Sequence, residues 1–235
     1  MSSQTALEAA AWLQSQVLEL ESVGRVTRTF RRLDPERQQA VLQAILDEAI
    51  ERGPTAVNIK FVAARAGVAV GSLYQYFNSR DGLLRFAIEL ASRYLVAEMN
   101  RYRPLLASLP LREGLAAYLA GGIEWSQAQA GLMGFFARAA YQGDARLAEE
   151  FVAPLGRVMQ ETVVELFNAA VTRGEIAKAV DVEAAARAVH VALIAVADSQ
   201  MLPYLNHYYQ ATDDRVSFDR LVSALLDLIL KGVEP

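Results

Sequence analysis

Residues 58–84 read NIKFVAARAGVAVGSLYQYFNSRDGLL, and the fold turns on this stretch. Asn58 is a fitting cap for a helix over 59–66, with Val62, Ala63 and Ala66 facing inward. Gly67 supplies the turn, since a left-handed backbone costs glycine little. A second short helix over 70–76 turns Leu73 and Phe77 toward the same small core. Ser79, followed by Arg80 and Asp81, reads as the cap of a long helix running to about residue 101. Two short helices about a glycine turn make a helix-turn-helix, whose second helix can enter the DNA major groove.

Working outward, Leu42, Ile45, Leu46 and Ala49 recur at helical spacing. Asp34 and Pro35 open that helix and Gly53-Pro54 closes it, which predicts 35–52. Residues 1–33 form a leader with Leu13, Val17 and Leu20 on one stripe and Val23, Val26, Phe30 and Leu33 on another. Its arginines are Arg25, Arg28, Arg31 and Arg32. It reads as two helices, or as one kinked at Gly24. Downstream, Pro104 and Pro110 bracket a break, and helices are expected at 111–128, 132–142, 145–173 (interrupted near Pro154), 182–201 and 215–231. Asp181 is a cap, Gly174 and 210–214 are joints, and Gly121, Gly122, Gly131 and Gly134 are places for close helix approach. The fold class is all-α. It comprises an N-terminal helical extension (1–33), a helix-turn-helix domain suited to DNA binding (34–80) and a larger helical body (81–235), with helix 80–103 as connector.

Composition narrows the function. Apolar residues make up 53% of the chain, enough for a sizeable core. There is no cysteine, so disulfide and thiolate chemistry are excluded, which suits a reducing cytoplasm. The N-terminus, MSSQTALEAA, lacks the basic and apolar regions of a signal peptide. The longest apolar run, 188–197, is interrupted by His190 and falls short of the roughly 20 residues of a membrane span. The net charge of −4 is unevenly spread: residues 1–24 carry −3, residues 25–103 carry +5 and residues 104–235 carry −6. A basic segment on an acidic body fits a local nucleic-acid footprint, with chance variation of surface charge as the plainer alternative. An enzyme needs a nucleophile–base pair, a metal cluster or a phosphate loop. The two histidines, His190 and His207, are not spaced as metal ligands, and neither G-x-x-x-x-G-K-[ST] nor G-x-S-x-G occurs, so no catalytic residue, metal or cofactor is expected.

A groove reader needs small residues where its backbone nears DNA and polar side chains pointing outward. Gly71 and Ser72 leave room at the helix start, and Ser72, Tyr74, Gln75 and Tyr76 can meet bases or phosphates; Gln75 can pair bidentately with adenine. Arg80 at a helix start, and Asn58 and Lys60 before the turn, suit the phosphate backbone. The competing reading is that Tyr74 and Tyr76 complete the three-helix core and Arg80 is a solvated charge. A helical protein-interaction module without DNA binding also stays open.

The run VAARAGVAVGSLYQYFNSRDGLL resembles the N-terminal domain of the TetR (tetracycline repressor) family of bacterial transcription regulators, over about Pro35 to Leu90. The combination A-x-x-A-G-V, then G-[ST]-L-Y-x-[HY]-F, then S-[KR]-[DE], is specific where no single piece would be. The resemblance implies a homodimer whose readers sit in successive major grooves of a palindromic double-stranded operator, and a helical body that dimerises and binds a small-molecule effector. It puts Ser72, Tyr74, Gln75, Tyr76 and Arg80 where family members often touch DNA. This chain departs from the pattern at Val70, where many relatives have Lys or Arg, and at Phe61, where a polar or acidic residue is common. Gln75-Tyr76 stands for a frequent Arg-His pair. Without a cation at Val70 phosphate binding should weaken, and Arg25, Arg28 and Arg32 of the leader are candidates to compensate. The alternative is that the leader only packs through Val26, Phe30 and Leu33.

In the body, the near-uniformly apolar helix 182–201 must be covered on more than one side. With helix 215–231 it is expected to form a dimer interface through Val189, Leu193, Val196, Phe218, Leu221, Val222, Leu225 and Ile229. Tyr118, Trp125, Phe135, Phe136 and Met159, with His190 and Asp198 as polar handles, are the candidate effector contacts, although such a stripe, and a lone histidine on an apolar helix, is more often core. The expected function is that of a DNA-binding repressor, released by a small, largely apolar ligand.

Overall fold

The computed structural model describes residues 3–141 and 143–233, with side chains from residue 11 onward except at 13 and 14. Leu13 of the leader stripe therefore lies outside the described side chains. Among the described residues all regular structure is helical. The helices are α1 (Ser3–Ser22), α2 (Arg28–Arg31), α3 (Pro35–Arg52), α4 (Ile59–Ala66), α5 (Val70–Phe77), α6 (Arg80–Ser108), α7 (Leu111–Ala128), α8 (Ala130–Tyr141), the single turn α9 (Ala145–Leu147), α10 (Ala153–Arg173), α11 (Val182–Met201), α12 (Pro203–Tyr209) and α13 (Phe218–Val233). A π-turn over Ala148–Val152 makes the interruption expected near Pro154. No helix among the described residues is long and apolar enough to cross a membrane.

Local chemistry sets most boundaries. Asp34 accepts the Arg37 N–H at 2.9 Å, Asn58 that of Lys60 at 3.0 Å, Ser79 that of Gly82 at 2.9 Å and Asp181 that of Ala184 at 3.2 Å. Gly67 ends α4 at φ 64°, in the left-handed region.

Three boundaries differ from expectation. Pro104 does not stop α6, which continues to Ser108. A proline this near a helix end costs one ladder bond, and Leu106 and Ala107 beyond it are held against a buried core. Pro203, at the first helical position, starts the unforeseen α12. α13 begins at Phe218 because the Asp213 carboxylate accepts both the Arg215 and Val216 N–H groups at 2.8 Å, holding that turn out of the helix.

The chain divides into two compact units. The first joins residues 1–94 to 129–152, and the second joins 95–128 to 153–235. The middle segment α8–α9 thus belongs with the helix-turn-helix and not with the body, which a linear division at residue 80 does not anticipate. The cause is a close backbone approach. A Cβ on Gly131 would lie 2.2 Å from the Glu51 carbonyl and 2.5 Å from the Arg52 nitrogen, so glycine alone lets α8 meet the end of α3. Phe135 then packs on Gly53, and its ring stands 5.0 Å from the fully buried Phe151. Phe77 and Phe86, 4.7 Å apart, anchor the same unit beneath α5 and α6.

In the first unit α3 also carries a fully buried carboxylate. Glu48 accepts the Asn58 N–H at 3.3 Å and pairs with Arg52 at 3.4 Å and Arg65 at 3.6 Å. The second unit closes around Leu115, Tyr118, Leu119, Leu166, Phe167, Val189 and Leu193. Ion pairs Arg103–Glu161 (3.1 Å) and Arg112–Asp227 (2.6 Å) tie its rim, and Glu175 accepts the orphan Leu111 N–H at 2.6 Å. His190 in this unit is half-buried, and desolvation holds its imidazole below the ordinary value of 6.5.

The two glycine environments predict opposite outcomes for one substitution. Gly131→Ala should cost about 1–3 kcal/mol by forcing α8 off α3, whereas Gly121→Ala, facing open space inside α7, should gain about 0.5–1 kcal/mol. Urea unfolding of both variants tests this, and an equal loss in both refutes the close-approach account. His190 gives a pH dependence. Its folded-state pKa is depressed, so the unfolded chain binds the proton first; the neutral imidazole's stability is complete above about pH 6.5 and is lost as pH falls toward the folded value. Unfolding curves at pH 7.5 and 5.5 should show a smaller acid-side loss in His190→Gln than in wild type.

Candidate nucleic-acid interface

The first unit presents α5 with one face inward and one outward. Leu73, Tyr76 and Phe77 are buried, while Gly71, Tyr74 (41% exposed) and Gln75 are exposed, and Val70 and Ser72 lie between. Tyr76 corrects the sequence reading, which gave it to DNA. Its ring stands 5.5 Å from Phe30 and it is only 6% exposed, because three residues after Leu73 it shares the inward side of the helix. Tyr74, one residue after Leu73, does not share that side.

No residue of α5 is charged. Charge comes from the flanks. Lys60 and Arg80 are exposed and make no ion pair among the described residues. The Asn58 side chain is committed to capping α4, so its contribution is positional. Arg65 is held by Glu51 through two bonds of 2.8 and 2.9 Å, which raises its pKa further. Phe61 is exposed and lies under the Arg52 guanidinium, 4.9 Å from the ring centre, so the departure at this position makes a cation–π contact.

The leader is two helices, and it meets α5. Val26 and Phe30 are buried, Leu33 partly so, and Val23 is 56% exposed, against the expected stripe. Gly24 takes the left-handed region at φ 71°, so the chain turns just after Val23 and the helical stripe breaks there. Sequence reasoning missed Thr27 altogether. Its N–H donates to the Tyr76 carbonyl at 3.0 Å and its Oγ1 to the Gln75 carbonyl at 2.9 Å, satisfying two orphan acceptors at the end of α5. Arg25 is corrected as a DNA candidate: its Nε is bound to Glu89 at 2.7 Å. Arg31 pairs with Glu21 at 3.1 Å, while Arg28 and Arg32 are exposed and make no ion pair among the described residues.

The body candidates separate. Phe135 and Phe136 are packed with Phe151 in the first unit, so they leave the effector list, which assumed that α8 belongs to the body. Tyr118, Trp125, Met159, His190 and Asp198 lie in the second unit. Two of them carry buried polar atoms without a hydrogen-bond partner among the described residues, Tyr118 Oη and His190 Nδ1. Burial pushes the Tyr118 phenol above its ordinary value. Of the interface candidates, Val189 and Leu193 are buried in their own unit's core, where they face α7 and α10 residues and are not available to a second chain. Val196, Phe218, Val222, Leu225 and Ile229 are partly buried against the same core, and Leu221 is half-buried. The outer positions Val191 (65% exposed) and Leu228 (71% exposed) are the bare apolar ones on α11 and α13.

Comparison with known proteins agrees with this architecture. Residues 41–86, spanning α3 to α6, match the model of the bacterial regulatory proteins, tetR family. The chain is 30% identical over 95 residues to the HTH-type transcriptional regulator BetI of Stenotrophomonas maltophilia, covering 40% of this chain and 48% of that protein. It is 41% identical over 66 residues to the HTH-type transcriptional repressor KstR of Mycolicibacterium smegmatis, covering 28% and 32%. The matches thus span about half, or less, of the curated relatives' own length. In fold alone, a transcriptional regulator from Cytophaga hutchinsonii is similar over 83% of this chain and 97% of its own, with a TM-score of 0.58 at 18% identity. The helix-turn-helix segment from α3 to α6 is thus similar to that of the tetR family of bacterial regulatory proteins, and the all-α architecture is in keeping with that likeness.

Proposed function

We propose that this protein is a cytoplasmic transcriptional repressor that binds a palindromic operator as a homodimer and is released by a small, largely apolar effector. The observation that carries the reading is the outward face of α5. Gly71, Tyr74 and Gln75 are exposed on a short helix with no charge of its own, flanked by the exposed cations Lys60 and Arg80, which make no ion pair among the described residues. Glycine admits close approach to the groove, Gln75 can read adenine, Tyr74 can bond phosphate or cover a thymine methyl, and the flanking cations neutralise phosphates. Ser72 and Val70, half-buried, shape the start of the helix rather than its charge.

The bare outer positions of α11 and α13 support a two-fold dimer, with Val191 and Leu228 at its centre and Leu221, Leu225 and Ile229 beside them. A helix-turn-helix dimer reads half-sites one helical turn apart. The effector belongs in the second unit, where Tyr118 Oη and His190 Nδ1 each lack a partner and Trp125, Met159 and Asp198 contribute to the same unit. Those two atoms would orient an otherwise apolar ligand. Helix α6 has residues in both units, so an effector that favours one tilt of α6 would change the separation of the two readers. An effector with equal affinity for both arrangements would release nothing.

The test begins with wild-type protein and a random pool of 30-base-pair duplexes. The enriched sequences should contain a palindrome with half-sites about 10 base pairs apart. Gln75→Ala should relax discrimination by about 5- to 150-fold while leaving binding to a mixed-sequence duplex nearly unchanged. Lys60→Ala should weaken both duplexes and lower the log–log salt slope by about 0.9 per reader. Failure to enrich any sequence, with no salt-dependent binding, removes the DNA-reading function.

A further inference from the structure

We propose that the short helix α2 is a second DNA-contacting element, gripping the phosphate backbone beside the half-site with Arg28 and Arg32. This rests on the DNA-reading function of α5 and extends it to a segment that lies outside residues 41–86.

The first argument is position. α2 is fastened to the reading helix by the two Thr27 bonds to the Gln75 and Tyr76 carbonyls. Phe30 packs beneath it, 5.5 Å from Tyr76 and 5.6 Å from Phe77. Gly24 and Arg25 line, with Asn78, Ser79, Gly82 and Arg85, a cleft of about 300 Å³ at the turn between α5 and α6. Gln38 adds a brace, donating to the Phe30 and Arg31 carbonyls at 3.2 and 2.8 Å. The segment is therefore a fixed attachment to the end of α5.

The second argument is how the charges are sorted. Four arginines lie within eight residues, and acids take two of them: Arg25 by Glu89 and Arg31 by Glu21. The two left exposed, Arg28 and Arg32, are four residues apart, and Arg32 keeps helical backbone angles (φ −80°, ψ −5°), so they are neighbours on one side of the turn.

The third argument is need. Affinity for duplex DNA is dominated by phosphate neutralisation, and α5 supplies no cation. Lys60 and Arg80 give two. Arg28 and Arg32 double that number, next to the carbonyl end of the very helix that lacks charge.

The test compares wild type with Arg28→Ala/Arg32→Ala and with Arg28→Lys/Arg32→Lys, using the duplex enriched by wild type, extended by ten base pairs on each side, and a mixed-sequence duplex of equal length. The alanine pair should lower the slope of log K against log salt by about 1.8 per reader, on both duplexes alike, with an unchanged thermal unfolding profile. The lysine pair should retain the wild-type slope. A slope unchanged in the alanine pair, while wild type still selects its palindrome, overturns the role of α2 and leaves the reading by α5 intact. A wild-type protein that binds neither duplex overturns both.

Discussion

A carboxylate with no exposed surface holds the helix-turn-helix together. Burying Glu48 costs several kcal/mol unless partners converge on it. Three do: the Asn58 N–H at the start of α4, Arg52 one turn along α3, and Arg65 near the end of α4. The arrangement couples α3 to both ends of α4. The start of α4 sets where Gly67 turns the chain, and that turn sets the direction of α5. Arg52 and Arg65 are both engaged by this network, which leaves Lys60 and Arg80 to face outward.

Charge in this unit thereby lies outside α5. The helix that presents Gln75 and Tyr74 is neutral, and the exposed cations stand around it. Under the proposed function, neutral donors and acceptors would read bases at close range, and guanidinium and ammonium groups on other elements would meet the phosphates. Val70, which from the sequence looks like a missing contact, is part of this division.

What was legible in the sequence was local. Asp34, Asn58, Ser79 and Asp181 cap the helices they announce, and Gly67 takes its left-handed turn, because each effect spans three or four residues. Tyr76 was also within reach: two residues from Tyr74, it lies about 200° around a helix and cannot share its face. What could not be read was non-local. Thr27 meets carbonyls 48 and 49 residues away, and Gly131 meets Glu51 across 80. The buried Glu48 hides in an ordinary helical charge pattern, since its i,i+4 partner Arg52 would look the same on a solvated surface. In α11, apolar nearly all round, periodicity could not tell Val189, which faces its own core, from Val191, which does not. The exposure of Gly71, Tyr74 and Gln75 on α5 was legible, but the sorting of the leader arginines into exposed and engaged ones needed the acids Glu21 and Glu89 in place.

The approach of α8 to α3 also governs how the molecule is made. The helix-turn-helix leaves the ribosome early, yet the surface of α3 at Glu51–Gly53 stays uncovered until Gly131, Phe135 and Phe151 have been synthesised. Roughly sixty residues separate Tyr94 from Val152, and at about 5–20 residues per second they take about 3–12 s to add. During that interval the nascent chain carries a DNA-reading element with one side open. Completion of that element is timed by the middle of the polypeptide, so a chain cut short before Phe151 would lack part of its own N-terminal unit.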